Sequence, residues 1–177
     1  MFIAQGKRIG LRMWQVVDLP AWIALNADPQ VRAYFPSVLN ASAAQAEIEC
    51  FQQHEKIHGF TLWAVVEVKS GTLLGMTGLW RTRFQASFTP CVETAWRFAR
   101  HYWGQGYALE AAQLAMQYGF IQGGLKEIVA FTAQENRASE RLMQRLGMRF
   151  SGIFPHPALS ANDRLSPHVL YRRAVID

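Results

Sequence analysis

The chain reads as a mixed α/β fold, on three observations. Two apolar, β-rich runs, residues 60–67 and 73–80, are joined by Lys69-Ser70-Gly71-Thr72 and form a hairpin pattern. An apolar run over 92–98 leads into Gly104 and Gly106 and then a long amphipathic segment. The pattern then returns as β-rich Ile128-Val129-Ala130-Phe131-Thr132, a helix start at Asn136 and a close at Leu146-Gly147-Met148. A hairpin followed by strand–helix–strand–helix sets helices against a sheet with both antiparallel and parallel neighbours.

Each element has a local reason. Residues 8–14 read as a first strand, and Asp18 as the N-cap of a helix that tolerates Pro20 in its first turn. Ser42-Ala43-Ala44-Gln45 reads as a capping box for a helix reaching about His58. After the hairpin, 81–90 is a loop and 92–99 the strand before the glycines. Leu109, Ala112, Met116 and Gly119/Phe120 recur at helical spacing up to Gly123-Gly124. Residues 127–133 form a strand. Ala138, Leu142, Met143 and Leu146 make the apolar face of the next helix, which Gly147 is placed to close in the left-handed conformation. Residues 150–154 and 168–172 are the final strands.

Composition narrows the function classes. At 177 residues, 50% hydrophobic and 18% charged, the chain is the size and make-up of one globular domain spanning 1–177. Apolar runs stay short of the ~18–20 residues needed to cross a bilayer, and the start lacks a signal-peptide pattern, so a cytoplasmic location is expected. Cys50 and Cys91 have no metal-ligand spacing and read as buried, reduced thiols, with no metal site. The net charge of +5 comes without a run of five basic residues, which argues against nucleic acid and suits a small anionic ligand.

That ligand has an obvious place. Glycines let the backbone approach an anion closely, and the first N–H groups of a helix point outward unpaired at the positive end of its dipole. The loop holds only two glycines, Gly104 and Gly106, past the middle of the chain, and no Gly-Lys-Ser/Thr follows; neither a Rossmann fingerprint nor a P-loop fits.

With these motifs the chain resembles a GNAT-type (GCN5-related) N-acetyltransferase of the RimJ/RimL-like branch. The family's pyrophosphate motif, Gln/Arg-x-x-Gly-x-Gly/Ala, falls on Trp103-Gly104-Gln105-Gly106-Tyr107-Ala108, with Trp103 where the family usually has a polar residue. Its downstream Asn-x-x-Ser, closed by Leu-Gly-Met, falls on 136–148. Arg8-Ile9-Gly10-Leu11-Arg12, Asp18-Leu19-Pro20 and Asn26-Ala27-Asp28-Pro29 are similar too. The resemblance implies a splayed, mostly antiparallel sheet with acyl-CoA in the cleft. It also implies transfer of an acetyl group from acetyl-CoA to a primary amine, in a ternary complex. The acceptor is a protein N-terminus or a small molecule, and the protein a monomer or homodimer; a catalytically silent acyl-CoA-binding module is the alternative.

Acyl transfer to an amine needs a held acyl group, a neutral amine, a stabilised oxyanion and a proton for the thiolate. By resemblance, Trp96, Arg97 and Phe98 pair with the pantetheine arm through their backbone, or are simply core strand. Glu93, a carboxylate inside an apolar run, either takes the amine's proton or pairs with an arginine. Asn136 caps its helix or binds pantetheine; the resemblance puts the Ser139 hydroxyl near the sulfur, and with Met143 at the family's usual tyrosine position either Ser139 or a water protonates the thiolate. His156, between Pro155 and Pro157, is a second candidate base, a substrate contact or a surface residue. Arg137, Arg141 and Arg145 form a helical basic stripe, from which Arg137 is the candidate phosphate contact.

Overall fold

A computed structural model describes residues 1–175. Eight strands form one sheet in the order β1-β2-β3-β4-β5-β6-β8-β7. They are β1 (Ala4–Gln5), β2 (Ile9–Arg12), β3 (Leu62–Glu67), β4 (Leu73–Thr82), β5 (Cys91–Phe98), β6 (Glu127–Ala133), β7 (Arg149–Pro155) and β8 (Pro167–Ala174). Four helices cover it: α1 (Leu19–Ala27), α2 (Ala41–His58), α3 (Tyr107–Ile121) and α4 (Arg137–Arg145). All neighbouring strands run antiparallel except β5 and β6, which α3 joins as a parallel pair. The mixed, mostly antiparallel α/β sheet anticipated from the pattern is what forms.

The two sheet faces are covered differently. On one, α3 and α4 bury Leu11, Leu74, Val92, Phe98, Ile128 and Tyr171 against small residues of α3, Ala111, Ala112 and Ala115. Alanines at these positions let that helix lie close to the strands. On the other face, α1 and α2 cover the half that includes Ala64, Val66 and Met76, using Trp22, Leu25, Ala44, Ile48 and Phe51. The remaining half is covered by the loop after β4, whose Phe84 and Phe88 pack on Phe131, Phe154 and Cys91.

Local signals were displaced where a stronger partner competed. Asn40, not Ser42, caps α2, accepting the Ala43 N–H at 2.8 Å. Asp18 stands at the start of α1 but makes no cap bond. Its carboxylate is instead buried against Arg12, at 2.6 and 2.7 Å, and accepts the Gln15 N–H. A bidentate pair to a guanidinium makes two charge-assisted bonds where a cap would make one, so the pair wins. Cys50 is exposed and Cys91 half-buried, against the expectation of two buried thiols. The short β1 was not foreseen; two residues are too few to show a period.

Because Arg12 and Asp18 are 7% and 3% exposed, removing one leaves the other charge stranded. Asp18→Ala should lower unfolding free energy by about 3–5 kcal/mol in urea titrations. Arg12→Met combined with Asp18→Leu should recover most of that loss.

Candidate active site

The site begins where β5 and β6 part. Their ladder holds at Glu93 opposite Val129 and at no other pair. On its other edge β5 is fully paired with β4, and Ala99 N–H donates to Leu74 C=O at 3.0 Å. The antiparallel alternation therefore turns the main-chain groups of Arg97 toward β4, and those of Trp96 and Phe98 toward the gap. Arg97 is thus a correction: its backbone is spent within the sheet, and its side chain lies on the opposite face, bonded to Asn26 and Glu47.

At the end of the gap lies the glycine loop. Gly104 (φ +73°) and Gly106 (φ +80°) both occupy the left-handed region. None of the main-chain N–H groups from Gly104 to Leu109 finds an acceptor among the described residues; the first helical bond runs from Glu110 to Gly106 C=O. Of the six residues that carry these donors, all but Gln105 line a cleft of about 140 Å³, together with Phe98, Tyr102, Trp103, Leu142 and Arg145. Trp103, 48% exposed, uses its indole N–H on Phe98 C=O at 2.8 Å. Gln105 points its side chain back to His101 C=O, and Ala108 forms part of the cleft wall.

Arg8 was missed as part of this loop. Its guanidinium donates to Gln105 C=O at 2.9 Å, pairs with Glu110 at 2.7 Å and lies 4.5 Å from the Tyr107 ring centre. It ties the first strands to the start of α3, a contact spanning 97 positions of sequence that no local pattern reports. Arg137 is a second correction: it pairs with Glu140 at 2.7 Å, and Arg145 is the stripe member lining the cleft. The three share one face of α4, and the stripe alone did not say which end of it meets the cleft.

Across the gap, α4 starts at Asn136, which caps it by accepting the Ser139 N–H at 3.2 Å. The Asn136 amide donates to Thr132 Oγ1 (2.9 Å) and Ser139 Oγ (3.0 Å), and Trp96 Nε1 also donates to Ser139 Oγ (3.2 Å). The Ser139 oxygen accepts twice, which leaves its own proton to point elsewhere. Thr94 Oγ1, where the strands part, is buried without a partner. Met143 is a core residue, 1% exposed, as a methionine there must be.

Glu93 lies on the opposite face from Trp96 and Phe98, at the seam between two covers: Cys91 belongs to the aromatic patch and Ala95 to the α1–α2 cluster. No cation lies within ion-pair distance of it among the described residues, so the arginine-pair reading falls away. Burial pushes its carboxyl up to about 8. His156 sits in the patch, with ring centres 5.1 Å from Phe84 and 4.8 Å from His168. Burial lowers both histidines, His168 to about 4. Ala158 N–H donates to His156 Nδ1 at 3.3 Å, which assigns the ring proton to Nε2 and occupies the lone pair a base needs. Glu93 and His156 therefore share a face, and Glu93 has the freer lone pairs.

Comparison with known proteins follows this geometry. The family described as the acetyltransferase (GNAT) domain matches residues 8–149. The uncharacterized protein YkkB of Bacillus subtilis is 31% identical over 124 residues, covering 70% of this chain and 71% of that one. The uncharacterized N-acetyltransferase YnaD of the same organism is 28% identical over 148 residues, covering 84% and 83%. A GNAT-family acetyltransferase from Bacillus anthracis has the same fold, with a TM-score of 0.81, 24% identity and 98% of each chain covered. RimL, a ribosomal L7/L12 α-N-protein acetyltransferase solved with coenzyme A, superposes with a TM-score of 0.79 at 14% identity, over 99% and 98%.

Two outcomes test the site. Gly106→Val forces a branched side chain into the left-handed region, at a cost of about 1–2 kcal/mol, and crowds Arg8. Calorimetric affinity for acetyl-CoA should fall tenfold or more while the protein still melts cooperatively. For Glu93, the unfolded chain loses its proton near 4.5 and the fold near 8, so stability falls as pH rises through that window. Glu93→Gln removes the slope. In urea titrations the variant should exceed the parent by a few kcal/mol at pH 8 and match it near pH 4. The histidines' opposite slope is common to both proteins and cancels in the difference.

Proposed function

Because the chain belongs to the GNAT acetyltransferase family, we propose that it passes the acetyl group of acetyl-CoA directly to a primary amine with both substrates bound at once. The observation that carries this reading is the parted β5–β6 edge, with unpaired amides at one end and Glu93 and Ser139 on its two faces. The residues fit the donor. Six free N–H groups suit a diphosphate, the main-chain groups of Trp96 and Phe98 suit an amide-bearing arm, and the Thr94 hydroxyl lacks a partner. Asn136 holds Ser139, and Arg145 gives the diphosphate end a positive wall.

Acetyl-CoA supplies an activated carbonyl on a good leaving group. The chain's residues supply the rest. Glu93, on the face away from α3 and α4, takes a proton from the amine, which must be neutral to attack; its raised pKa matches it to an acceptor working near neutrality. Ser139 turns its O–H to the sulfur. A thiol is a much stronger acid than an alcohol, so Ser139 acts mainly as a hydrogen-bond donor to the developing thiolate, relaying a proton as one arrives from solvent. Two donors already on its oxygen polarise that O–H. An acceptor that is a peptide N-terminus and one that is a small amine both satisfy this chemistry.

The test is acetyl-CoA turnover against peptides and small amines over pH 6–9.5. The parent's kcat/KM should rise to a plateau with an apparent pKa near 8, and Glu93→Gln should lose that limb. Ser139→Ala should lower kcat about 10²-fold and leave KM nearly unchanged. Tight acetyl-CoA binding with no turnover on any acceptor would instead mark a silent binding module.

A further inference from the structure

The face under α1 and α2 carries a charge imbalance that donor binding does not use. Arg97 of β5 and Arg32, between α1 and α2, are 8% and 7% exposed and share one carboxylate, Glu47, at 2.9 and 3.8 Å. Asn26 Oδ1 accepts from both guanidiniums, and the Phe35 ring lies over both, 4.5 Å from Arg32 Cζ and 4.6 Å from Arg97 Cζ. Two cations against one anion leave one positive charge unmatched where water is scarce. Arg97 Nε is buried without any partner. Burial and the neighbouring Arg97 pull Arg32 below its usual range, with Glu47 opposing. A dry, unspent donor on an uncompensated guanidinium is costly. A bound anion removes that cost.

The place of this pair ties it to the acceptor. Arg97 and Glu93 point to the same face of β5, four residues or about 13 Å apart, with Ala95 between them. Ala95, the small side chain between them, is only partly buried against the α1–α2 cluster. Phe35 is 36% exposed, a thin cover over the arginines. Arg164, in the segment that follows His156, donates to Ala33 C=O at 3.0 Å, which ties the two loops together.

We propose that the acceptor is an amino acid, whose carboxylate docks on Arg32 and Arg97 beneath Phe35 while its amine lies beside Ala95, between them and Glu93. The proposal rests on the amine-acetylation reading. Nitrogen bonds to the acetyl carbon, the carbon–sulfur bond breaks, the amine's proton passes to Glu93, and the thiolate takes one by way of Ser139. The single unmatched charge selects a carboxylate over a phosphate dianion.

The probes are N-acetyl amino acids and the matching N-acetyl amines without the carboxylate, titrated by calorimetry into the protein loaded with coenzyme A. At least one pair should differ tenfold or more in favour of the carboxylate. Arg32→Gln should shrink that ratio to about threefold or less. Glu47→Gln, which removes the competing anion, should enlarge it, whereas a purely structural trio would lose thermal stability and leave the ratio unchanged. The proposal is overturned if no pair favours the carboxylate in the parent protein, or if N-acetyl-O-phosphoethanolamine binds more tightly than every carboxylate. Turnover with acetyl-CoA and the free amino acids is read separately: a carboxylate preference without any turnover keeps the carboxylate site and overturns the transfer reading.

Discussion

One constraint organises this molecule: a sheet cannot leave strand edges open in its middle without giving their polar groups a partner. β5 and β6 meet only at Glu93 and Val129, and beyond that bridge each strand pairs on its outer side alone. The protein meets part of the demand itself. Trp103 covers the Phe98 carbonyl, and Trp96 reaches over to Ser139. What remains is an open edge with the unpartnered Thr94 hydroxyl and the free N–H groups of α3 at its end, which the proposed acyl-CoA arm would pair. Strand addition in the interior of a sheet is the same interaction that elsewhere recruits peptides to sheet edges.

Burial then sets the charge states on the other face. It raises Glu93 and lowers His156 and His168, so the carboxyl titrates above neutrality beside aromatic rings and uncharged imidazoles. Four residues along the same strand the balance reverses, with two guanidiniums around one carboxylate. One strand thus carries a carboxyl of raised pKa at one end and an excess cation at the other, while its backbone edge faces the cleft. The three roles stay separate because a strand's side chains alternate between faces and its main chain between edges.

Much of this was legible in the chain. The hairpin, the glycine loop, the repeat of strand and helix, Gly147 and the opening of α4 at Asn136 all follow from local rules, because turns, caps and amphipathic periods are decided within a few residues. Glu93 could be singled out because a carboxyl inside an apolar run needs a reason, whereas Ser139 was singled out by the family resemblance. The readings that changed are those in which a residue had two possible partners. Asp18 could cap or pair, Ser42 and Asn40 competed for one helix start, and Arg137 and Arg145 shared a stripe.

Sequence by itself therefore determined the elements, their order and the chemistry available at the glycine loop and the start of α4. Tertiary structure alone decided where β5 leaves β6, that Arg8 holds Gln105 and that Arg97 turns to Glu47 and Arg32. The reason is physical. Local signals act over one or two turns of chain, whereas these contacts join positions 36 to 97 residues apart, and their energy depends on a burial that exists only once the sheet and its covers are assembled.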